Sequence, residues 1–171
     1  MIYRAFTAMF VVLLIAMTAA SLPADVWIVR EDGIGPVKIG MKLRQLNSAL
    51  QEKFEMPEDT SDQGCFYVTS TKHPAVKFMI EDGALSRIDV DRAGISTAEG
   101  VQVGDSEARV REVYGSRMKV EPSKYGGPRG HFLTIRSDSG GLGIRFETEK
   151  GKVARFYAGK FASIQYVEGC L

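Results

Sequence analysis

The stretch GPVKIGMKLRQLNSAL (residues 35–50) constrains the fold more than any other feature, because its pattern returns at residues 99–114 as EGVQVGDSEARVREVY. Setting Gly40 on Gly104 places Val37 on Val101, Ile39 on Val103, Leu46 on Val110 and Leu50 on Tyr114. The correspondence continues through GCFYVTS (64–70) with GHFLTIRS (130–137), and AVKFMIEDGALSRIDV (75–90) with LGIRFETEKGKVARFYAG (142–159). Phe66 falls on Phe132, Phe78 on Phe146, Gly83 on Gly151 and Arg87 on Arg155. An ordered series of this kind predicts one supersecondary unit used twice.

Each unit reads as a helix followed by an antiparallel meander. Leu43, Leu46 and Leu50 occupy one helical face, as do Val110, Val113 and Tyr114. Asp105 or Ser106 supplies an N-cap and Gly115 a C-terminal stop, whereas Met41-Lys42 caps the first helix more weakly. Val76, Phe78 and Ile80 alternate with Lys77, Met79 and Glu81; Leu142, Ile144 and Phe146 alternate with Gly143, Arg145 and Glu147. Period two with charges at alternate positions predicts one buried and one solvated sheet face. Glu147, Glu149 and Lys150 read as part of the solvated one. Asp82-Gly83 and Lys150-Gly151 are hairpin turns. Ser139-Gly140-Gly141 turns the preceding pair, and a last strand is expected over residues 161–167.

The fold class is therefore α+β: two tandem helix-plus-antiparallel-meander repeats packed into one domain, over residues 25–94 and 95–171. One continuous sheet and two stacked sheets both satisfy the pattern. A single copy of about 60 to 70 residues buries too little apolar surface to stand comfortably alone.

Residues 1–24 are expected to be a secretory signal peptide. Arg4 is followed by the uncharged run AMFVVLLIAMTAA (8–20) and by small residues that permit cleavage after Ala20 or Ala24. The run is short for a membrane span, so no stable span is expected after cleavage. Removing Arg4 from the 22 basic residues brings them level with the 21 acidic ones. A neutral, mixed surface argues against a nucleic-acid partner, which needs a cationic footprint. Two cysteines remain, Cys65 and Cys170, each after a glycine. In an exported chain they predict a disulfide and a periplasmic or secreted location.

The segments Ile39-Gly40-Met41 with Leu46, and Val103-Gly104-Asp105 with Val110 and Gly115, resemble the tandem unit of the β-lactamase-inhibitor protein. A single copy is similar to the small lipoprotein of the outer-membrane β-barrel assembly machinery. The resemblance implies an envelope protein that binds other proteins and does no chemistry. This chain departs from it in lacking a lipidated cysteine and in a disulfide that spans the two repeats, and no inhibitory loop carries over.

No catalytic constellation stands out. His73 and His131 lie far apart in the chain, no calcium-loop motif occurs, and neither a metal nor another cofactor is expected. His131 with Ser137 or Ser139 and Asp138 could suggest a hydrolase, but His131 alternates with Leu133 and Ile135 as an ordinary strand histidine does. Gly140-Gly141-Leu142-Gly143 opens a strand rather than a helix and lacks the phosphate-loop ending.

The Gly- and Pro-rich segment MKVEPSKYGGPRGH (118–131) reads as a loop carrying Tyr125 and Arg129, residue types that anchor protein interfaces. Its counterpart FEMPEDTSDQG (54–64) is acidic, with Glu55, Glu58, Asp59 and Asp62. Tyr125, Arg129, His131 and Tyr67 are the candidate partner-binding residues, and another envelope or secreted protein is the expected partner. The alternative is a carbohydrate or cell-wall binding module that stacks sugars on Tyr67, Tyr157 and Tyr166.

Overall fold

The computed structural model describes residues 27–58 and 64–170. The expected signal peptide, and Asp59 and Asp62 of the acidic loop, lie outside the described residues. The elements in order are β1 (Ile28–Arg30), β2 (Gly33–Ile34), β3 (Val37–Lys38), α1 (Leu43–Leu50), β4 (Cys65–Thr69), β5 (Val76–Glu81), β6 (Ala84–Val90) and β7 (Ser96–Thr97). There follow α2 (Glu107–Tyr114), β8 (Met118–Pro122), β9 (His131–Arg136), β10 (Leu142–Glu149) and β11 (Lys152–Lys160). The fold is α+β, mostly β, with two sheets and two short helices among the described residues.

The large sheet has the order β4-β5-β6-β11-β10-β9-β8, antiparallel throughout. The pairing of β6 with β11, Asp89 opposite Tyr157 and Ile88 opposite Ala158, makes it one continuous surface. A small sheet, β3-β2-β1-β7, brings Val29 beside Thr97 through a parallel β1–β7 pair.

Local chemistry explains the regular parts. Asp82 and Gly83 both take positive φ, 50° and 71°, as do Lys150 and Gly151 at 51° and 79°. This twist suits a two-residue hairpin. Eight-residue helices gain their stability from packing rather than from helix propensity. Leu46 and Leu50 of α1, and Val110 and Tyr114 of α2, are buried against the sheet's apolar face with Phe78, Ile88, Ile144, Phe146 and Phe156. Ser106 caps α2, its hydroxyl accepting from the Arg109 amide at 3.1 Å. Lys42 makes no such bond at the start of α1.

The two helix-entry turns are held alike. The Gly40 amide donates to the Leu85 carbonyl and the Leu85 amide to the Met41 carbonyl, both at 2.8 Å. Gly104 donates to Val153 and Val153 to Asp105, both at 2.9 Å. Each following hairpin carries a bulge, at Met79/Ile80 and at Glu147/Thr148.

Four expectations change. Residues 161–167 do not form a strand but a segment with a 3₁₀ turn, Ser163–Gln165. β11 already has β6 and β10 as neighbours, so the chain leaves the ladder and folds across the sheet's second face. The expected loop 118–131 begins as edge strand β8, whose terminal Pro122 is tolerated there. Phe66 and Phe132 fall on opposite faces: Phe66 joins the core, whereas Phe132 lies under the Arg145 guanidinium at 4.0 Å. The register sets Val68 opposite Phe78 and Leu133 opposite Phe146, so Leu133 rather than Phe132 shares the core face. Finally, the second sheet face is not simply solvated. Arg87 (2% exposed), Arg145 (6%) and Glu147 (3%) are buried on it: the C-terminal segment meets Arg87 and Arg145, and Tyr157 and Arg155 engage Glu147.

Candidate functional site

The second face is built from one cross-strand row and the segment laid over it. Lys77, Asp89, Tyr157, Arg145, Thr134 and Lys119 stand side by side across six strands. In the adjacent row Gly159 and Gly143 stand opposite each other in place of side chains, and Gly143 seats the crossing segment. A Cβ at Gly143 would meet the Ile135 carbonyl oxygen at 2.6 Å and Ile164 Cδ1 at 3.0 Å. The segment is tied at its far end by the Cys65–Cys170 disulfide. In the middle, Arg87 Nη1 donates to the Ser163 carbonyl at 3.1 Å and the Tyr166 carbonyl at 2.7 Å.

Arg87 is the hub. Its remaining nitrogens bind the Asp89 carboxylate at 2.6 and 2.9 Å and donate to the Tyr67 hydroxyl at 2.6 Å. Its guanidinium lies 4.3 Å from the Tyr157 ring centroid. The Tyr157 hydroxyl donates to Glu147 at 2.8 Å. Burial, then the charge of Asp89, pushes the Tyr67 phenol up; burial, then Glu147, does the same for Tyr157. Both therefore remain protonated donors. Burial pulls Arg145 down, opposed by Glu121, Tyr157 and Glu147.

Beside this network opens a cleft of about 420 Å³, with Lys77, Asp91 and Arg155 on one side and residues 167–169 on the other. A second hollow, lined by Tyr125 and Tyr166, shares residues 167–169 as a wall. Tyr125 (59% exposed) and Tyr166 (44%) present their rings to solvent, and the Tyr125 hydroxyl is held by Glu168.

Two of the four candidate partner-binding residues, Tyr125 and Tyr67, thus flank the same segment. Tyr67 is committed to Arg87 and Asp89 and only partly accessible. Arg129 is exposed in the 3₁₀ turn Gly127–Arg129. His131 points the other way, toward α2, where Nδ1 lies 2.8 Å from the Glu107 carboxylate. It is not part of a surface with Tyr67. Ser137, at the far end of β9, bonds Ser139 and the Leu142 amide instead. His73 stacks on Trp27. Among the described residues no group of three or more His, Cys, Asp or Glu side chains could hold a metal ion, and no helix is long and apolar enough to cross a membrane.

Sequence reasoning missed Arg87, Asp89, Arg145 and Glu147. The available signal was Gly143 within a strand-like run, since a strand glycine marks the close approach of another backbone or group.

No protein-family model matches the chain, and no curated protein matches it significantly. The chain is similar to several solved structures. An extracellular protein containing an SCP domain, from Bacillus anthracis str. Ames, aligns with a TM-score of 0.52 at 9% identity, over 90% of this chain and 52% of that one. The chain thus spans about half the length of that protein, and the likeness is one of fold. A DUF4309 family protein (YjgB) from Bacillus subtilis aligns with a TM-score of 0.45 at 12% identity, covering 80% of this chain and 89% of that one. The yfeY protein from Escherichia coli aligns at 0.43 and 16% identity, covering 78% and 99%.

Proposed function

We propose that this is an exported, non-enzymatic binding protein that engages another protein through the tyrosine-lined rim of its C-terminal segment. The observation that carries this reading is the pairing of Tyr125 and Tyr166, two open aromatic rings around one hollow. Tyrosine combines large contact area with little conformational entropy to lose, and it is enriched among interface anchors. The surface is pre-organised: the disulfide and the Arg87 bonds fix the segment before any partner arrives. Such rigidity lowers the entropic cost of binding.

The disulfide fits an oxidising compartment such as the periplasm or the extracellular medium. We read the two helix-and-meander halves as copies of one unit, supported by the matching amide bonds at Gly40 and Gly104 and by the matching bulges. A doubled unit resembling that of the β-lactamase-inhibitor protein fits the same reading. The glycan alternative is weakened by the burial of Tyr157 and the engagement of Tyr67, which leave Tyr166 as the open ring of its three.

The test is capture from an envelope extract with the mature protein and with a Tyr125→Ala, Tyr166→Ala variant of equal thermal stability, alongside co-sedimentation with peptidoglycan. The expected result is one saturable protein partner, lost with the variant and reproduced with purified components. Equal recovery by both baits, or sedimentation with the wall in place of protein capture, would overturn the reading.

A further inference from the structure

Among the described residues, three of the four buried side-chain polar atoms without a hydrogen-bond partner gather at one place: Thr134 Oγ1, Arg145 Nε and Gln165 Nε2. Chance would scatter such atoms, because an unpartnered buried donor costs the full desolvation of the group. Thr134 and Arg145 are cross-strand neighbours, and Arg145 Nη1 donates to the Gln165 side-chain oxygen. Thr134, 96% buried by its 4% exposure, and Gln165 both line a hollow of about 440 Å³. The hollow lies over β8 and β9, away from the tyrosine rim and sharing no residue with it.

The charges around it are one-sided. Arg117, Lys119 and Arg136 line the hollow, and Arg145 lies behind Thr134. Glu121 is the single acid on the lining, and Lys119 holds it at 2.9 Å. Arg136 is braced for the task, its Nε donating to the Gly140 carbonyl at 2.7 Å and its guanidinium 4.3 Å from the Phe161 ring centroid. The unpartnered Gln165 amide and Thr134 hydroxyl on the lining, with Arg145 next to Thr134 and a surplus of cationic side chains, match a ligand that only accepts hydrogen bonds and carries negative charge.

We infer that the hollow between β8, β9 and the Ser163–Gln165 turn is a binding site for an oxyanionic group of the phosphate or carboxylate class. The site is separate from the proposed partner surface, so either can fail alone. Arginine and lysine at the mouth attract the group, and Thr134 and Gln165 at the floor complete its hydrogen bonds.

The probes are inorganic phosphate and acetate, titrated at constant ionic strength against chloride and followed by amide chemical shifts. The expected result is a saturable shift at Thr134, Arg145 and Gln165 with at least one probe. If only phosphate saturates, the ligand carries phosphate; if only acetate does, it carries carboxylate. Thr134→Val should weaken binding about tenfold, the order expected for one charge-assisted hydrogen bond. It should leave thermal stability unchanged or raised, because the hydroxyl has no protein partner to lose. A second variant, Arg117→Gln with Lys119→Gln, alters exposed residues only and should also weaken binding. Linear shifts with both probes, or saturation that survives both variants, would overturn the inference.

Discussion

Arg87 and Asp89, two residues apart on the same face of β6, form a two-pronged ion pair at 2.6 and 2.9 Å, and their side chains are only 2% and 15% exposed. A pair this deep is held mainly by the cost of breaking it. Asp89→Leu would strand the guanidinium in a buried site, and a loss of about 3 to 5 kcal/mol is expected. Replacing both residues, Arg87→Met with Asp89→Leu, should cost less than the sum of the single changes, since no lone charge remains. Urea denaturation of the four proteins of this cycle measures the coupling; additive losses would show that the pair is not coupled.

The disulfide supplies the second prediction. Cys65 and Cys170 are 105 residues apart, and in the chain-entropy account closing a loop of that size contributes about 4 to 5 kcal/mol. Cys65→Ser with Cys170→Ser should lower the denaturation midpoint accordingly. It should also increase amide exchange in residues 161–170, because the segment then depends on its non-covalent contacts, among them the bonds to Arg87 and Arg145, the Ser163–Glu81 bond and the Gly143 seat. Unchanged exchange there would mean that these contacts suffice without the covalent tie.

Much of the fold was legible because its local chemistry and its periodicity agree. Asp82-Gly83 and Lys150-Gly151 announce the hairpins, and Leu46, Leu50, Val110 and Tyr114 announce the helix faces. The second sheet face was not legible. Alternation says which residues share a face; it does not say whether a distant segment returns to cover it. That depended on residues 161–170 leaving the ladder, and on a strand glycine, Gly143, that reads first as a hairpin residue. The Phe66–Phe132 match failed for a related reason. A one-residue shift in a strand reverses its faces, and aromatic identity alone does not fix register. Of the candidate residues, Tyr125 and Tyr67 lie beside the C-terminal segment. His131 lies apart from them, facing α2, because a sequence does not show which side of a strand looks at a helix.

That histidine leads to a pH prediction. Burial raises the pKa of Glu107, but hydrogen bonds from Arg111, His131 and Thr148 outweigh it and hold the carboxyl below its ordinary value of 4.5. A depressed carboxylate stabilises the fold fully above its unfolded pKa and loses that contribution as pH falls through the folded value. Stability should therefore decline as pH drops below about 4.5, the unfolded reference. Glu107→Gln should be less stable than the parent at neutral pH and converge on it in acid. Parallel curves of denaturation midpoint against pH would remove Glu107 from the acid response.

The two helix starts allow a paired test of capping. Ser106 accepts from the Arg109 amide, whereas at the equivalent position Lys42 contributes no side-chain bond and the Lys42 amide is instead covered by Gln45 Oε1 at 2.8 Å. Ser106→Ala removes an acceptor from the first turn of α2 and should cost about 1 kcal/mol. Lys42→Ser adds one to α1 without disturbing the Gln45 bond, completing the reciprocal arrangement of a capping box, and should stabilise by a similar amount. The Lys42 backbone already has the extended conformation a cap requires, with φ −72° and ψ 156°, close to the −72° and 147° of Ser106. Thermal unfolding of both variants decides the matter. A rise with Lys42→Ser and a fall with Ser106→Ala are expected. A fall in both would mean that the Lys42 side chain supports α1 in a way its backbone geometry does not reveal.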